Sequence, residues 1–455
     1  MRRYASMLRS GLALWLGAAG GLARAEEPKA AEEKPAAAAP LSAEEWAAQR
    51  NETFETVWKT VDEAYFDPTF GGVDWAAVRE KYRPKLEATG DKPALRSLLQ
   101  AMLGELRKTH FSILPREMSV FTPQERSRVG TVGLGCLYVD GPMAIDAVDT
   151  NSPGSLAGVH PGDTVLSVDG IEIAPLLTRL EEAGVMPSRR GLYLEQFLNG
   201  RLRGPVGSTV NLVLREAGGT ERKVDLTRAD YPGEWSEPMG DFPSTPIKVE
   251  KVCSPEGIGY LHFNVFARKA MKDIRALLRE VPADGGLVID LRGNGGGLTV
   301  MASGIAGWLT DREFSLGTMH LRQGHLDFTV TPQRGAFLGP VAVLIDSGSA
   351  STSEIMAAGL QEAGRARLFG EHSAGAALPS LFKALPTSDL LQYAIADVQT
   401  PQGVLIEGQG VIPDETIVTT LADLAAGKDP VRDAAERWVK AERQRRATAP
   451  AAPAK

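Results

Sequence analysis

Cysteine is nearly absent from this 455-residue chain, with Cys136 and Cys253 its only two. Such a pair excludes a disulfide scaffold and a four-thiolate zinc site. The two fall in different predicted domains; an oxidising compartment leaves a disulfide between them open, but nothing indicates one and they read as two buried free thiols, neither a nucleophile nor a metal ligand. Positive charge is not in excess either: 50 Lys and Arg stand against 57 Asp and Glu, a formal charge of −7. No basic stripe offsets that balance, so a nucleic-acid partner is not expected. Beyond residue 22 no apolar run approaches the roughly 18 residues that span a bilayer, which argues against an integral membrane anchor.

What is present begins with an address. Arg2, Arg3 and Arg9 precede an apolar stretch from Gly11 to Leu22, and Ala23-Arg24-Ala25 fits an A-x-A cleavage site. Residues 1–25 therefore read as a signal peptide and the chain as exported, to a periplasm or out of the cell. No Cys lies near the cleavage site, against a lipoprotein anchor. Cleavage removes four arginines and no acid, taking the formal charge from −7 to −11. Residues 26–41, rich in Ala, Glu, Lys and Pro, read as a flexible linker, and 444–455 as a disordered tail.

Between them three regions differ in pattern. Residues 42–115 carry helical periodicity, as in Phe54, Val57, Trp58 and Val61, and in Leu95, Leu98, Leu99, Met102, Leu103 and Leu106. Residues 116–230 show short strands and turns. Residues 245–430 alternate strand and helix, the mark of an α/β core.

The chemistry concentrates at Asp346-Ser347-Gly348-Ser349-Ala350-Ser351-Thr352-Ser353-Glu354, between the strand Val341 to Ile345 and a helical pattern from Ile355. A Ser at such a corner is exposed, and unpaired N–H groups of the helix start can bind an oxyanion. Ser351 and Glu354 also fit an S-x-x-E capping box, a purely structural reading. Gly293 to Gly297 is no nucleotide loop, since G-x-G-x-x-G fails at Leu298 and no P-loop Lys follows.

Three ordered motifs decide between these readings. Asp290-Leu291-Arg292-Gly293-Asn294-Gly295-Gly296-Gly297, Ser349-Ala350-Ser351-Thr352-Ser353-Glu354-Ile355 and Gly408-Gln409-Gly410-Val411-Ile412-Pro413-Asp414 resemble those of the carboxyl-terminal-processing (tail-specific) serine peptidases. Upstream, Ser152-Pro153 through Asp169-Gly170 is similar to a PDZ domain of the bacterial protease type. The resemblance spans about residues 50–425. It implies an α/β multidomain fold: a helical N-terminal region, a PDZ-like β-rich domain and an α/β protease core of the ClpP/crotonase-like type.

By this resemblance Ser351 is the nucleophile and needs a base. The better-known branch uses a Lys 25 positions on; here that position is Ala376, and the next lysine, Lys383, lies seven residues further. A second branch, which includes the tricorn core protease, takes a His from the helical region. Thr109-His110 matches that place, and Glu407 stands before the closing glycine motif. His110 would be the general base, with Thr109 and Glu407 setting its tautomer and orientation. His372 is the rival base; His320 and His325, five apart, show no acid partner in sequence and are no metal site. The resemblance puts the oxyanion hole at the N–H groups of Gly297 and Thr352, with Gly296 as the neighbouring alternative. It puts peptide-carboxylate binding at Gly133-Leu134-Gly135-Cys136, where a Gly-rich turn offers several N–H groups.

The expectation is an exported serine endopeptidase acting on protein or peptide chains with free, apolar C-terminal tails, without cofactor or metal. The rivals are a catalytically inactive peptide-binding protein on the same fold and a small-ester hydrolase.

Overall fold

The computed structural model of the chain describes residues 41–116, 119–139, 141–238 and 242–448. The expected signal peptide, linker residues 26–40 and tail residues 449–455 lie outside them. The chain divides at Glu45/Trp46. Before that point Leu41–Glu45 is described, where Ser42 donates through N–H and Oγ to Glu45 Oε2, both at 2.8 Å. The second unit, from Trp46 onward, holds the rest.

Helices α1 (Ala43–Ala64), α2 (Trp75–Tyr82) and α3 (Lys92–Gly104) form the N-terminal region. Asp74 and Asp91 cap α2 and α3, accepting the N–H groups of Ala77 and Ala94 at 2.9 and 2.8 Å. Phe54, Val57 and Val61 pack with Leu95, Leu99, Met102 and Leu103 in a core that also takes in Leu378, Leu385, Leu391 and Ala394. The region is therefore fused to the C-terminal part of the chain. Its last residues depart from the helical expectation: Ser112–Leu114 is a strand (β1), with Ile113 opposite Leu391.

The next region is built on a six-stranded sheet. Strands β2 (Leu134–Tyr138), β3 (Met143–Val148), β4 (Thr164–Val168), β5 (Thr209–Arg215) and β6 (Glu221–Thr227) follow one another in space, with Ile171–Glu172 folded back on β4. Helices α4 (Ile173–Glu182) and α5 (Pro187–Leu202) lie between β4 and β5 in sequence. In β5, Val210, Leu212 and Leu214 point inward and join Leu194, Leu198 and Leu202 of α5. β2 forms one edge of this sheet, and α5 packs beside it.

A second six-stranded sheet forms the α/β core: β7 (Val249–Cys253), β8 (Ile258–Phe263), β9 (Gly286–Asp290), β10 (Val341–Ile345), β11 (Arg367–Gly370) and β14 (Glu415–Thr416). All neighbours from β8 onward are parallel, and every residue of β9 and β10 is buried. Their unbroken apolar runs follow from cover on both faces. Leu287, Ile289, Val343 and Ile345 face α6 (Met271–Glu280), α7 (Thr299–Gly307) and α8 (Thr352–Glu362). Val288, Ala342 and Leu344 face α9 (Pro430–Thr448) through Val431, Ala435 and Val439.

Helix α9 extends the core beyond residue 430 and makes residues 444–448 helical rather than part of a tail. Ala and Arg are strong helix formers, and Arg443 and Arg446 reach the carbonyls of Asp284 and Leu338 at 2.7 and 2.9 Å. Strands β12 (Ser380–Ala384) and β13 (Leu390–Ala394) complete the small sheet that holds β1, in the order β1-β13-β12.

Candidate active site

The loops after β9 and β10 meet at the carboxyl ends of parallel strands, where α/β sheets open a crevice. Asp346 Oδ1 ties them together, accepting N–H groups of Gly293 at 2.9 Å and Gly348 at 3.0 Å. Ser351 follows with φ 56° and ψ −118°, a strained conformation for a residue with a side chain. Two acceptors hold its N–H: Ala376 O at 2.8 Å and Glu354 Oε2 at 3.1 Å.

Glu354 is more than the cap its spacing suggests. Its buried carboxylate also takes Ser373 Oγ at 2.6 Å and the N–H groups of Gly375 and Ala376 at 2.7 and 2.9 Å. Burial pushes its carboxyl up to about 7, opposed by those bonds. It clamps the Ser351 turn to the loop 373–376.

The glycine run approaches Ser351 closely. A Cβ on Gly296 would lie 2.7 Å from Ser351 Cβ and 3.0 Å from Thr352 N, so no other residue fits there. Gly296 spends its N–H on Asn294 Oδ1 at 2.9 Å, while the N–H groups of Gly297 and Thr352 have no acceptor among the described residues. Thr352 Oγ1 bonds Gly297 O at 2.8 Å, joining the two turns that carry these donors. Of the two glycines, Gly297 has the free donor.

His110 sits at φ 59° in the turn between α3 and β1. Its Nδ1 lies 2.8 Å from Thr109 Oγ1, and Thr109 Oγ1 donates to Glu407 Oε2 at 2.9 Å. The Thr109 hydroxyl has one proton, given to Glu407, so it can only accept from the imidazole. His110 therefore carries its proton on Nδ1, leaving Nε2 as the free base. Burial first, and the nearby Arg189 second, hold the imidazole down to about 4, so it is neutral at neutral pH. Glu407 is 2 % exposed and also accepts the N–H groups of Thr109 and Ala377 at 3.2 and 3.1 Å. One short loop thus links both halves of the site: Ala376 O accepts the Ser351 N–H, and the Ala377 N–H bonds Glu407 beside His110.

The rival bases lie elsewhere. Ala376 is buried against Leu192, Ala350 and Ala374 and offers no basic group. Lys383 points to Thr60 Oγ1 at 2.9 Å, and His372 Nε2 is 2.6 Å from Gln409 O. His320 does have an acid partner, Asp397, 3.1 Å away on a neighbouring strand, which sequence spacing does not reveal. Among the described residues no group of three or more His, Cys, Asp or Glu could hold a metal. Both cysteines are unbridged thiols; Cys136 is buried and Cys253 only partly so.

The segment Gly133 to Cys136 starts the edge strand β2. Gly133 commits its N–H to Thr131 Oγ1 at 3.1 Å, while the side chains of Leu134 and Cys136 turn into the domain core. A cavity of about 440 Å³ separates this strand from the active-site loops, lined by Leu134, Gly135 and Glu195 on one side and Gly293, Gly295 and Gly348 on the other.

Sequence reasoning missed two residues here, Arg189 and Glu195 on α5, and read Glu354 as no more than a cap. Arg189 forms an ion pair with Glu407 Oε1 at 3.5 Å and donates to Gly375 O. Glu195 Oε1 accepts Ser347 Oγ and the Tyr138 N–H, each at 3.1 Å. A helical face with Arg189, Leu192 and Glu195 is visible in sequence, but its target is not.

The parallel core, the strained Ser at a helix start and the donors opposite it define a serine-type peptidase. Comparison with known proteins names the family. Residues 257–417 match Peptidase family S41, and residues 46–104 match the Tricorn protease C1 domain. The chain is 28% identical over 392 residues to the carboxyl-terminal-processing protease of Synechocystis sp., covering 82% of each. It is 29% identical to that of Picosynechococcus sp., covering 79% of this chain and 81% of the relative. In fold it is similar to the photosystem II D1 C-terminal processing protease, with a TM-score of 0.55 and 24% identity over 83% of this chain and 97% of the other. Mature CPAF complexed with lactacystin gives a TM-score of 0.62 at 15% identity, over 87% and 98% of the two chains. The chain thus carries a Peptidase family S41 match and, over about four fifths of its length, is similar to carboxyl-terminal-processing proteases.

Proposed function

We propose that this chain is an exported endopeptidase that cuts protein or peptide chains by acyl transfer to Ser351 and then to water, with His110 as base. Ser351 Oγ gives its proton to His110 Nε2 as it attacks the scissile carbonyl. The imidazolium, held through Thr109 by Glu407, then protonates the leaving amine. Water, activated by the same imidazole, releases the acyl group. The N–H groups of Gly297 and Thr352 receive the oxyanion; losing such a donor typically costs roughly 10²–10³ in turnover.

The PDZ-like domain takes an apolar C-terminal tail by strand addition to β2, with the turn from Gly133 to Cys136 toward its carboxylate and the Gly133 N–H held by Thr131 Oγ1. No cofactor enters this scheme. Among the described residues no helix is long and apolar enough to cross a membrane. The observation that carries the reading is the Glu407–Thr109–His110 relay, joined to Ser351 through Ala376 and Ala377.

The test is cleavage of an unfolded protein with an apolar C-terminus by the wild type, Ser351→Ala, His110→Ala and His372→Ala. Loss in the first two variants, with His372→Ala active, supports the reading. A dead His372→Ala beside an active His110→Ala would transfer the base to His372.

A further inference from the structure

Helix α5 belongs to the β-rich domain, yet one face of it lies on the catalytic loops. Residues three or four apart share a helical face. On this one, Arg189 meets Gly375 O and Glu407, Leu192 packs on Ala350, Ala374 and Ala376, and Glu195 accepts Ser347 Oγ. Gly191 completes the seam, since a Cβ there would lie 2.5 Å from Ser347 Oγ. The Arg189 side chain is 12 % exposed and its Glu407 partner 2 %, so the pair is largely out of water. Breaking such a pair leaves an uncompensated buried charge.

We propose that Arg189 is the positioning residue for Glu407, so that the Thr109–His110 base is correctly set only while α5 is docked on the nucleophile's loop. This rests on the Ser351/His110 reading. Glu407 is otherwise held by N–H groups of Thr109 and Ala377 and by the Thr109 hydroxyl. None of these carries a charge. Arg189 supplies the counter-charge and, through Gly375 O, fixes the loop that Glu407 must face.

The charged and titratable groups about His110 are few. Arg189 and Tyr193 come from α5, Glu407 from the segment before the closing glycines, and Glu354 lies behind the loop 373–376. Tyr65 of the segment after α1 stacks edge-on with Phe111 at 5.5 Å. Arg107 and Lys108 precede Thr109 in the same turn, but Arg189 is the cation that acts on the imidazole. Removing it relieves the imidazolium of repulsion and leaves the Glu407 charge unopposed. Both effects raise the His110 pKa.

The test measures cleavage of an unfolded, apolar-tailed protein against pH in wild type, Arg189→Gln, Arg189→Lys, Leu192→Ala and His110→Ala. His110 is also titrated by NMR in Ser351→Ala, with and without Arg189→Gln. Arg189→Gln is expected to lower kcat by roughly tenfold at unchanged KM, part of the 10²–10⁴ a positioned base contributes. Its His110 midpoint should move up from about 4, by the smaller part of the shift that Arg189 causes, with burial still holding it low. Arg189→Lys keeps the charge and should recover most of the midpoint. Leu192→Ala, which loses only packing, should lower thermal stability and leave the midpoint in place.

An unmoved midpoint in Arg189→Gln, with an activity loss that tracks stability as in Leu192→Ala, overturns the positioning role alone. Activity surviving in His110→Ala overturns the Ser/His reading, and the role of Arg189 with it.

Discussion

The turn that carries Ser351 and the turn that carries His110 both hold a side-chain-bearing residue at positive φ, 56° and 59°. They are secured by opposite means. The Ser351 turn is anchored from within the α/β core: Asp346 and Glu354, within five residues of Ser351, bind the backbone N–H groups around it. The His110 turn has no such local frame. It is suspended between the core packing of α3 and the three-residue strand β1, and its side chain is aimed by Glu407, 298 positions from Thr109. The corner that bears Ser351 is built by a short segment; the setting of His110 needs the whole chain folded around it.

The largest expected effect removes either partner outright. Ser351→Ala and His110→Ala should each lower kcat by about 10⁴–10⁶, and the double variant should be little worse than either, because the two act as one unit. Additive losses, measured in the same cleavage assay, would separate the turns and break the comparison.

Next comes the relay. Thr109→Val keeps the shape and removes the hydroxyl that fixes the imidazole's tautomer, and should cost about 10²–10⁴ in kcat with little loss of stability. In the unaltered enzyme, a base held down to about 4 stays neutral well below the ordinary 6.5. The acid limb of kcat/KM should therefore lie below 6.5, the activity falling as pH drops and His110 takes up its proton. A pH–rate profile checks this.

Glu354→Gln sharpens the contrast from the nucleophile's side. It places an amide NH₂ against backbone donors, and should lower stability by about 1–3 kcal/mol in denaturant unfolding together with activity. The smallest effects belong to Lys383→Ala and His372→Ala, which should stay within a few-fold of wild-type turnover in the cleavage assay.

The same division governs what could be read before folding. The Ser351 corner, the glycine run and the strand–helix alternation of the core were legible because their contacts lie within short windows or follow apolar runs. Thr109, His110 and Glu407 were legible only by resemblance, since nothing local in Leu106 to Ser112 announces a base. Arg189 and the wider clamp of Glu354 were not legible: a charged residue on a helix reads as solvated until its neighbour is known. The C-terminal helix was missed because its Ala- and Arg-rich composition also fits a loose tail, and only the apolar side of α9 against Val288, Ala342 and Leu344 decides otherwise.

The most direct test of the Ser351–His110 pairing is covalent labelling with an alkyl fluorophosphonate, mapped by mass spectrometry across single variants. The account predicts an adduct on Ser351 in wild type and in His372→Ala, and loss of labelling in His110→Ala. Labelling of Ser351 at the wild-type rate in His110→Ala, or an adduct on another serine, would contradict it.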